Sequence, residues 1–104
     1  MKVQNTLVSG TTTKDGAATA TPRDQNVTVM LHAYLSSDGG TATCTVEGRM
    51  NGGPWSASPL VSFSLSGASD SASYVLDRDP WYELRGRITA ISGASALATV
   101  VMGA

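Results

Sequence analysis

Three sets of residues in this 104-residue chain have side chains able to do chemistry. His32 and Cys44 are its single histidine and single cysteine, Asp77, Asp79 and Glu83 gather carboxylates within one short stretch, and Glu83, Arg85 and Arg87 alternate along another. Nucleophilic catalysis needs a nucleophile, a base within reach and a group that orients the base. His32 shares a parity with Met30 and Tyr34, whereas Cys44 shares one with Ala42 and Val46 on the next predicted strand. The two therefore point to different faces and do not form a pair. Cys44 reads as a small buried hydrophobe, as free cysteines commonly are, and His32 as a partly exposed surface residue. No second histidine, cysteine or paired carboxylate accompanies His32 to hold a metal. The spacing of Asp77, Asp79 and Glu83 is not that of an EF-hand loop, so these read as turn acids with an ion pair to Arg78. Glycoside chemistry needs two carboxyls converging on a cleft, and neither a phosphate-binding loop nor a dinucleotide fingerprint occurs. The expectation is a non-enzyme with no catalytic residues, no cofactor and no metal, whose chemistry is that of a surface.

That surface centres on the run from Trp81 to Ile91. Tyr82, Leu84, Gly86, Ile88 and Ala90 fall on one parity and Trp81, Glu83, Arg85, Arg87 and Thr89 on the other, the period of a half-buried strand. Glu83, Arg85 and Arg87 are candidate partner-binding residues, with the arginines able to donate bidentate bonds to carboxylates of an acidic partner. The competing role for these charges is solubility, since a charged strand face resists association with other sheets. Trp81 is expected to anchor the turn into this strand beside Pro80, and Trp55 is a second aromatic candidate. Either tryptophan, or Tyr34 or Tyr82, can stack on a sugar face.

The elements that position these residues are strands. Charged residues make up 14% of the chain, well below the usual quarter or so, and no window carries helical periodicity with caps. Asn26 to Leu35 alternates with Val27, Val29, Leu31, Ala33 and Leu35 inward. After Ser37-Asp38-Gly39-Gly40, an expected hairpin turn, Ala42, Cys44, Val46, Gly48 and Met50 read inward and Thr41, Thr43, Thr45, Glu47 and Arg49 outward. Asn51-Gly52-Gly53-Pro54 leads to a strand with Val61, Phe63 and Leu65 inward, and a turn at 67–71 precedes a short strand from Ser73 to Leu76. Ser92-Gly93-Ala94 is read as the turn of a C-terminal hairpin ending near Met102. Six to eight short strands with this turn spacing predict an all-β protein, an antiparallel β-sandwich or flattened barrel.

Residues 1–25 read differently from 26–104, which form the sandwich domain. The opening segment is an extended N-terminal arm or edge strand, with short strands expected near Val3 to Val8 and Ala17 to Thr21 and a turn at Lys14-Asp15-Gly16. Thr11, Thr12 and Thr13 are its candidate partner-binding residues, because threonine-rich backbone pairs readily along a neighbouring sheet edge. The formal net charge of -1 argues against nucleic acid. With no apolar run at the start or elsewhere, a membrane is not expected, and the chain reads as one made and used in a cytoplasm.

Two stretches carry a resemblance: Thr43-Cys44-Thr45-Val46-Glu47-Gly48-Arg49-Met50-Asn51-Gly52-Gly53-Pro54-Trp55, and Trp81-Tyr82-Glu83-Leu84-Arg85-Gly86-Arg87-Ile88-Thr89-Ala90-Ile91-Ser92-Gly93. Over roughly residues 26–104 the chain resembles small β-sandwich structural proteins of tailed bacteriophages, among them capsid decoration or cement proteins and neck or tail components. The resemblance implies a virion protein assembled in the host bacterial cytoplasm. Its implied partners are the major capsid protein or other virion subunits, and further copies of itself in a homo-oligomer. The alternative function weighed beside it is a carbohydrate- or receptor-binding module.

Overall fold

The computed structural model describes residues 4–21, 28–36, 40–50, 52–76, 81, 83–93 and 96–103. Expectations placed on Val3, Val27, Ser37 to Gly39, Asn51, Asp77 to Pro80, Tyr82 and Ala94 lie outside the described residues. Among these residues nine strands follow one another: β1 (Gln4–Gly10), β2 (Lys14–Asp15), β3 (Thr19–Ala20), β4 (Val29–Ser36), β5 (Thr41–Arg49), β6 (Val61–Ser66), β7 (Ser71–Leu76), β8 (Glu83–Ser92) and β9 (Leu97–Gly103). They form two antiparallel sheets packed face to face, the β-sandwich of the two architectures that the alternation allowed. One sheet has the order β1-β9-β4-β7. The other has β2-β8-β5-β6, with β3 also pairing with β8.

Between the sheets lies one core. Val29, Leu31, Ala33 and Leu35 from β4 and Ala98, Val100 and Met102 from β9 meet Ala42, Cys44 and Val46 from β5, Phe63 and Leu65 from β6, and Leu84 and Ile88 from β8. At roughly 25 cal/mol per Å² of apolar surface removed from water, this burial is the main favourable term in folding. The inward parities read from the sequence on β4 and β6 are the buried ones.

Connectivity departs from the hairpin reading. β4 and β5 belong to different sheets and do not pair, and the same holds for β8 and β9. Among the described residues, β5 and β6 are the chain-adjacent strands that form a paired hairpin. The turn chemistry near Gly40 and Gly93 is compatible with either outcome.

Register irregularities account for two further departures. Opposite Thr43 and Cys44, β8 contributes Ala90 and Ile88, so Thr89 is the extra residue of a bulge. A one-residue insertion reverses the parity beyond it. Ala90, expected inward, is consequently exposed, and Ile91 packs against the core instead. Met50, also expected inward, lies beyond the end of β5 and is exposed.

Of the two readings of the opening segment, an edge strand or an arm that pairs with a neighbouring chain, its described residues take the first within this chain. β1 pairs with β9, and a bulge at Leu7 turns both Leu7 and Val8 into the core. Lys14-Asp15, expected as a turn, is a two-residue strand on β8, and β3 pairs with β8 further along. Gly86 makes this approach possible, since a Cβ there would lie 2.8 Å from Val8 Cγ1.

Trp81 also departs from its assigned face. β8 begins at Glu83, so the strand's alternation does not extend to Trp81, and its ring packs on the core side over Gly48. A Cβ on Gly48 would come within 2.6 Å of the ring. Removing a buried tryptophan side chain costs about 3 to 5 kcal/mol, and for this partly buried ring Trp81→Ala should fall near the lower end. Gly48→Ala should cost about 1 to 3 kcal/mol through overpacking. In a double-mutant cycle of thermal or urea melts, Gly48→Ala should cost little once Trp81 is already alanine; simple additivity of the two penalties would show that ring and glycine are not in contact.

Candidate functional site

On the outer face of the second sheet, β5 and β8 set opposite charges across from one another. Register places Glu47 beside Arg85 and Arg49 beside Glu83, with Arg87 between Thr45 on β5 and Asp15 on β2. Cross-strand neighbours on one face lie about 5 Å apart at Cβ, close enough for these side chains to pair. Arg85 grips Glu47 Oε1 through Nη2 at 2.7 Å and Nε at 2.8 Å. Arg87 Nη1 donates to Glu47 Oε2 at 3.3 Å, while its Nε donates to Asp15 Oδ1 at 2.7 Å. Arg49 Nε donates to Glu83 Oε1 at 2.9 Å.

Trp55 closes one end of this ladder. The guanidinium carbons of Arg49 and Arg85 stand 4.4 and 4.5 Å from its ring centroid, within cation–π range. Two residues of β5 that read as outward from the sequence are buried on this face: Glu47, held by the two arginines, and Thr45 are each only 7% exposed. Thr45 Oγ1 makes no hydrogen bond within the chain.

The arrangement brings together four of the residues expected to bind a partner: Trp55, Glu83, Arg85 and Arg87. Trp81 is not among them, being on the core side, where its carbonyl accepts a 2.6 Å hydrogen bond from Thr21 Oγ1. Thr11, Thr12 and Thr13 are exposed on the link between β1 and β2. Thr13 reaches the edge of the ladder, lining a shallow open depression with Lys14, Asp15, Arg87, Ile88 and Thr89. Sequence reasoning passed over Glu47, Arg49 and Asp15 as members of the site. Glu47 and Arg49 shared an outward parity on β5, but only the β5–β8 register shows which charges they face. For Asp15 there was no local signal, because its partner is 72 residues away.

Chemically, the ladder is closed upon itself. Three guanidiniums face three carboxylates, and each arginine is engaged by an acid of its own chain. Among the described residues the three arginines are each matched by a carboxylate, so they act first as internal ties. Hydrogen bonding to Arg87 holds the Asp15 carboxyl below the usual carboxylate range.

Elsewhere, His32 lies on the outer face of the first sheet, edge-on to Tyr34 with ring centroids 5.9 Å apart and an interplanar angle of 82°. Cys44 is enclosed in the core, and burial pushes its thiol pKa up. The two are on different sheets and do not meet. Among the described residues no group of three histidine, cysteine, aspartate or glutamate side chains is placed to hold a metal ion, and no helix is long and apolar enough to cross a membrane.

Two outcomes test the ladder. Glu47→Ala leaves Arg85 and Arg87 without their shared, largely buried acceptor and should cost roughly 2 to 3 kcal/mol, the range of charged hydrogen bonds; a urea midpoint unchanged from the parent would show that the pairing adds nothing. For Asp15, whose folded pKa is depressed, the ion pair stabilises above its unfolded pKa of about 3.9. The stability difference between the parent and Asp15→Asn should therefore be full at neutral pH and vanish as pH falls through the lowered folded pKa. Thermal melts on a descending pH series measure it, and a difference that persists in strong acid would assign it to something other than the charge.

Comparison with known proteins places the fold. No protein-family model matches the sequence, and no curated protein matches it. Among solved structures the chain is similar to the SPBc2 prophage-derived protein YomS, with a TM-score of 0.63 at 12% identity over 99% of this chain and 91% of that one. Looser similarities are to PirA (TM-score 0.43, 18% identity, 97% and 90% covered) and to a protein of the disulfide-linked pili that form Bacillus endospore appendages (TM-score 0.42, 19% identity, 98% and 85% covered). At these identities, what the chain shares with the prophage protein is the two-sheet fold along nearly its whole length.

Proposed function

We propose that this chain is a non-enzymatic structural subunit of a tailed-phage particle, a capsid decoration protein that binds the major capsid protein and stabilises the head. The observation that carries the reading is the end-to-end likeness of fold to a prophage-derived protein. It agrees with the resemblance of the two stretches ending at Trp55 and Gly93 to phage β-sandwich proteins. The chemistry of the described residues supports a structural role as well: its histidine and cysteine are apart, and its strongest polar cluster neutralises itself. A self-paired charge ladder stiffens a sheet without demanding a ligand.

The carbohydrate reading receives less support. Stacking on a sugar uses a flat, open aromatic platform. Trp81 packs over Gly48, Trp55 lies against two guanidiniums, and the exposed Tyr34 meets His32 edge-on instead of forming a coplanar pair. A neck or tail position differs from a head position only in the partner.

The experiment is co-sedimentation of the purified protein with undecorated heads, with isolated tails run in parallel. Saturable binding to heads that raises their melting temperature is the expected result. Binding to tails alone would move the protein to the tail, and binding to neither, with retention on a glycan surface, would replace this reading by the carbohydrate one. Thr11, Thr12 and Thr13 are the exposed part of the opening segment, so their joint replacement by aspartate should lower head occupancy severalfold while the melt of the free protein stays at the parent value; unchanged occupancy would remove them from the contact.

A further inference from the structure

The outer face of the first sheet is the chemical opposite of the ladder. β4 turns Met30, His32, Tyr34 and Ser36 outward, β7 turns Ser71, Ser73 and Val75, β9 turns Leu97, Thr99, Val101 and Gly103, and β1 adds Thr6 and Ser9. Among these described residues there is no aspartate, glutamate, lysine or arginine. Four of the six large hydrophobic side chains that the described residues leave exposed stand here: Met30 at 45%, Val75 at 47%, Tyr34 at 41% and Leu97 at 38%. They form two groups. Met30 and Val75 are register partners toward one end of β4, and Tyr34 and Leu97 lie toward the other.

From this pattern we infer that the uncharged face of the β1-β9-β4-β7 sheet is a self-association surface, covered by the same face of a second copy of this chain. A twofold axis makes one patch complementary to itself. With the strands of the two copies running in opposite directions, the Met30–Val75 group of each lies over the Tyr34–Leu97 group of the other, and the exposed hydroxyls of Ser73 and Thr6 lie between; Thr99 is already covered and bonded to Ser9. The absence of charge is what favours a second copy over another occupant. Among the described residues a twofold mate meets no like charge on this face, whereas an acidic or basic partner would find no counter-charge there. The formal net charge of -1 leaves little overall repulsion between copies.

Size sets the expected strength. Four strands about 4.8 Å apart and roughly 25 Å long span on the order of 500 Å² per copy. Two copies bury on the order of 1,000 Å², the lower limit of a specific interface, which suits a weak, reversible dimer. This inference does not depend on the phage-particle reading, because it concerns the isolated chain.

Sedimentation equilibrium of the full chain across the micromolar range tests it. A monomer–dimer equilibrium is expected, and Met30→Glu should weaken it by roughly tenfold or more, as should Leu97→Lys. Mixing the two variants should restore association as a heterodimer, since the new charges face each other across the twofold. Both side chains point outward and are partly exposed, so each variant should fold and melt close to the parent; if one fails to fold, the other serves alone. A chain that stays monomeric overturns the inference. So does a dimer insensitive to Met30→Glu but broken by Ser73→Pro on the β7 edge, which would mean strand-edge pairing. Particle binding is scored separately: loss of the dimer with head binding retained counts against neither the fold nor the particle reading, and head binding lost with the dimer intact leaves this inference standing.

Discussion

Glu47 is a carboxylate taken largely out of water in the middle of a sheet, and that burial organises one side of the molecule. An isolated buried carboxylate would cost several kcal/mol or neutralise itself by taking up a proton. Two guanidiniums from β8 supply the compensation, and their remaining donors need acceptors in turn. Arg87 reaches Asp15 and so ties the short β2 to the sheet; Arg85, with Arg49, lies against Trp55 and so draws in the β5–β6 connection. Segments with little apolar surface of their own are thereby held by charge and by backbone pairing. Gly16 N donating to Gly86 O at 2.8 Å completes the attachment of the opening segment.

The two outer faces consequently have different chemistry. One is charged, balanced and partly covered by its own side chains. The other is neutral and open, with aliphatic and aromatic groups at its two ends. Edge protection differs in the same way. The sheet edges at β1 and β2 are interrupted by a bulge and by breaks into two-residue strands, the kind of device that discourages pairing with other chains. β6 and β7 are regular and uncharged along the other side.

Local backbone accommodations make the close packing possible. The bulge at Leu7 lets two consecutive apolar residues enter the core, where plain alternation would send one to solvent. Gly48 leaves room for the Trp81 ring at the sheet end, and Gly86 leaves room for β1 to cross over β8. Each of these is a contact between segments far apart in the chain.

The sequence by itself determined the fold class, the strand-forming stretches and most of the core. Alternation of Val29, Leu31, Ala33 and Leu35, or of Val61, Phe63 and Leu65, leaves a single way to bury an apolar face. It also exposed Glu83, Arg85 and Arg87 as one outward row. What it did not determine was anything that depends on which strand lies beside which. A turn such as Ser92-Gly93 serves a hairpin or a crossing between sheets, so the separation of β8 from β9 came only with the tertiary structure. The inversion at Ala90 and Ile91 came from a bulge with no local marker. Asp15 entered the ladder because of an arginine 72 residues away, and Glu47 became buried because β8 delivered two guanidiniums to it. Period-2 alternation encodes which face a side chain takes along its own strand; the partners across the sheet are chosen by the packing of the whole core, and that is decided only when the chain has folded.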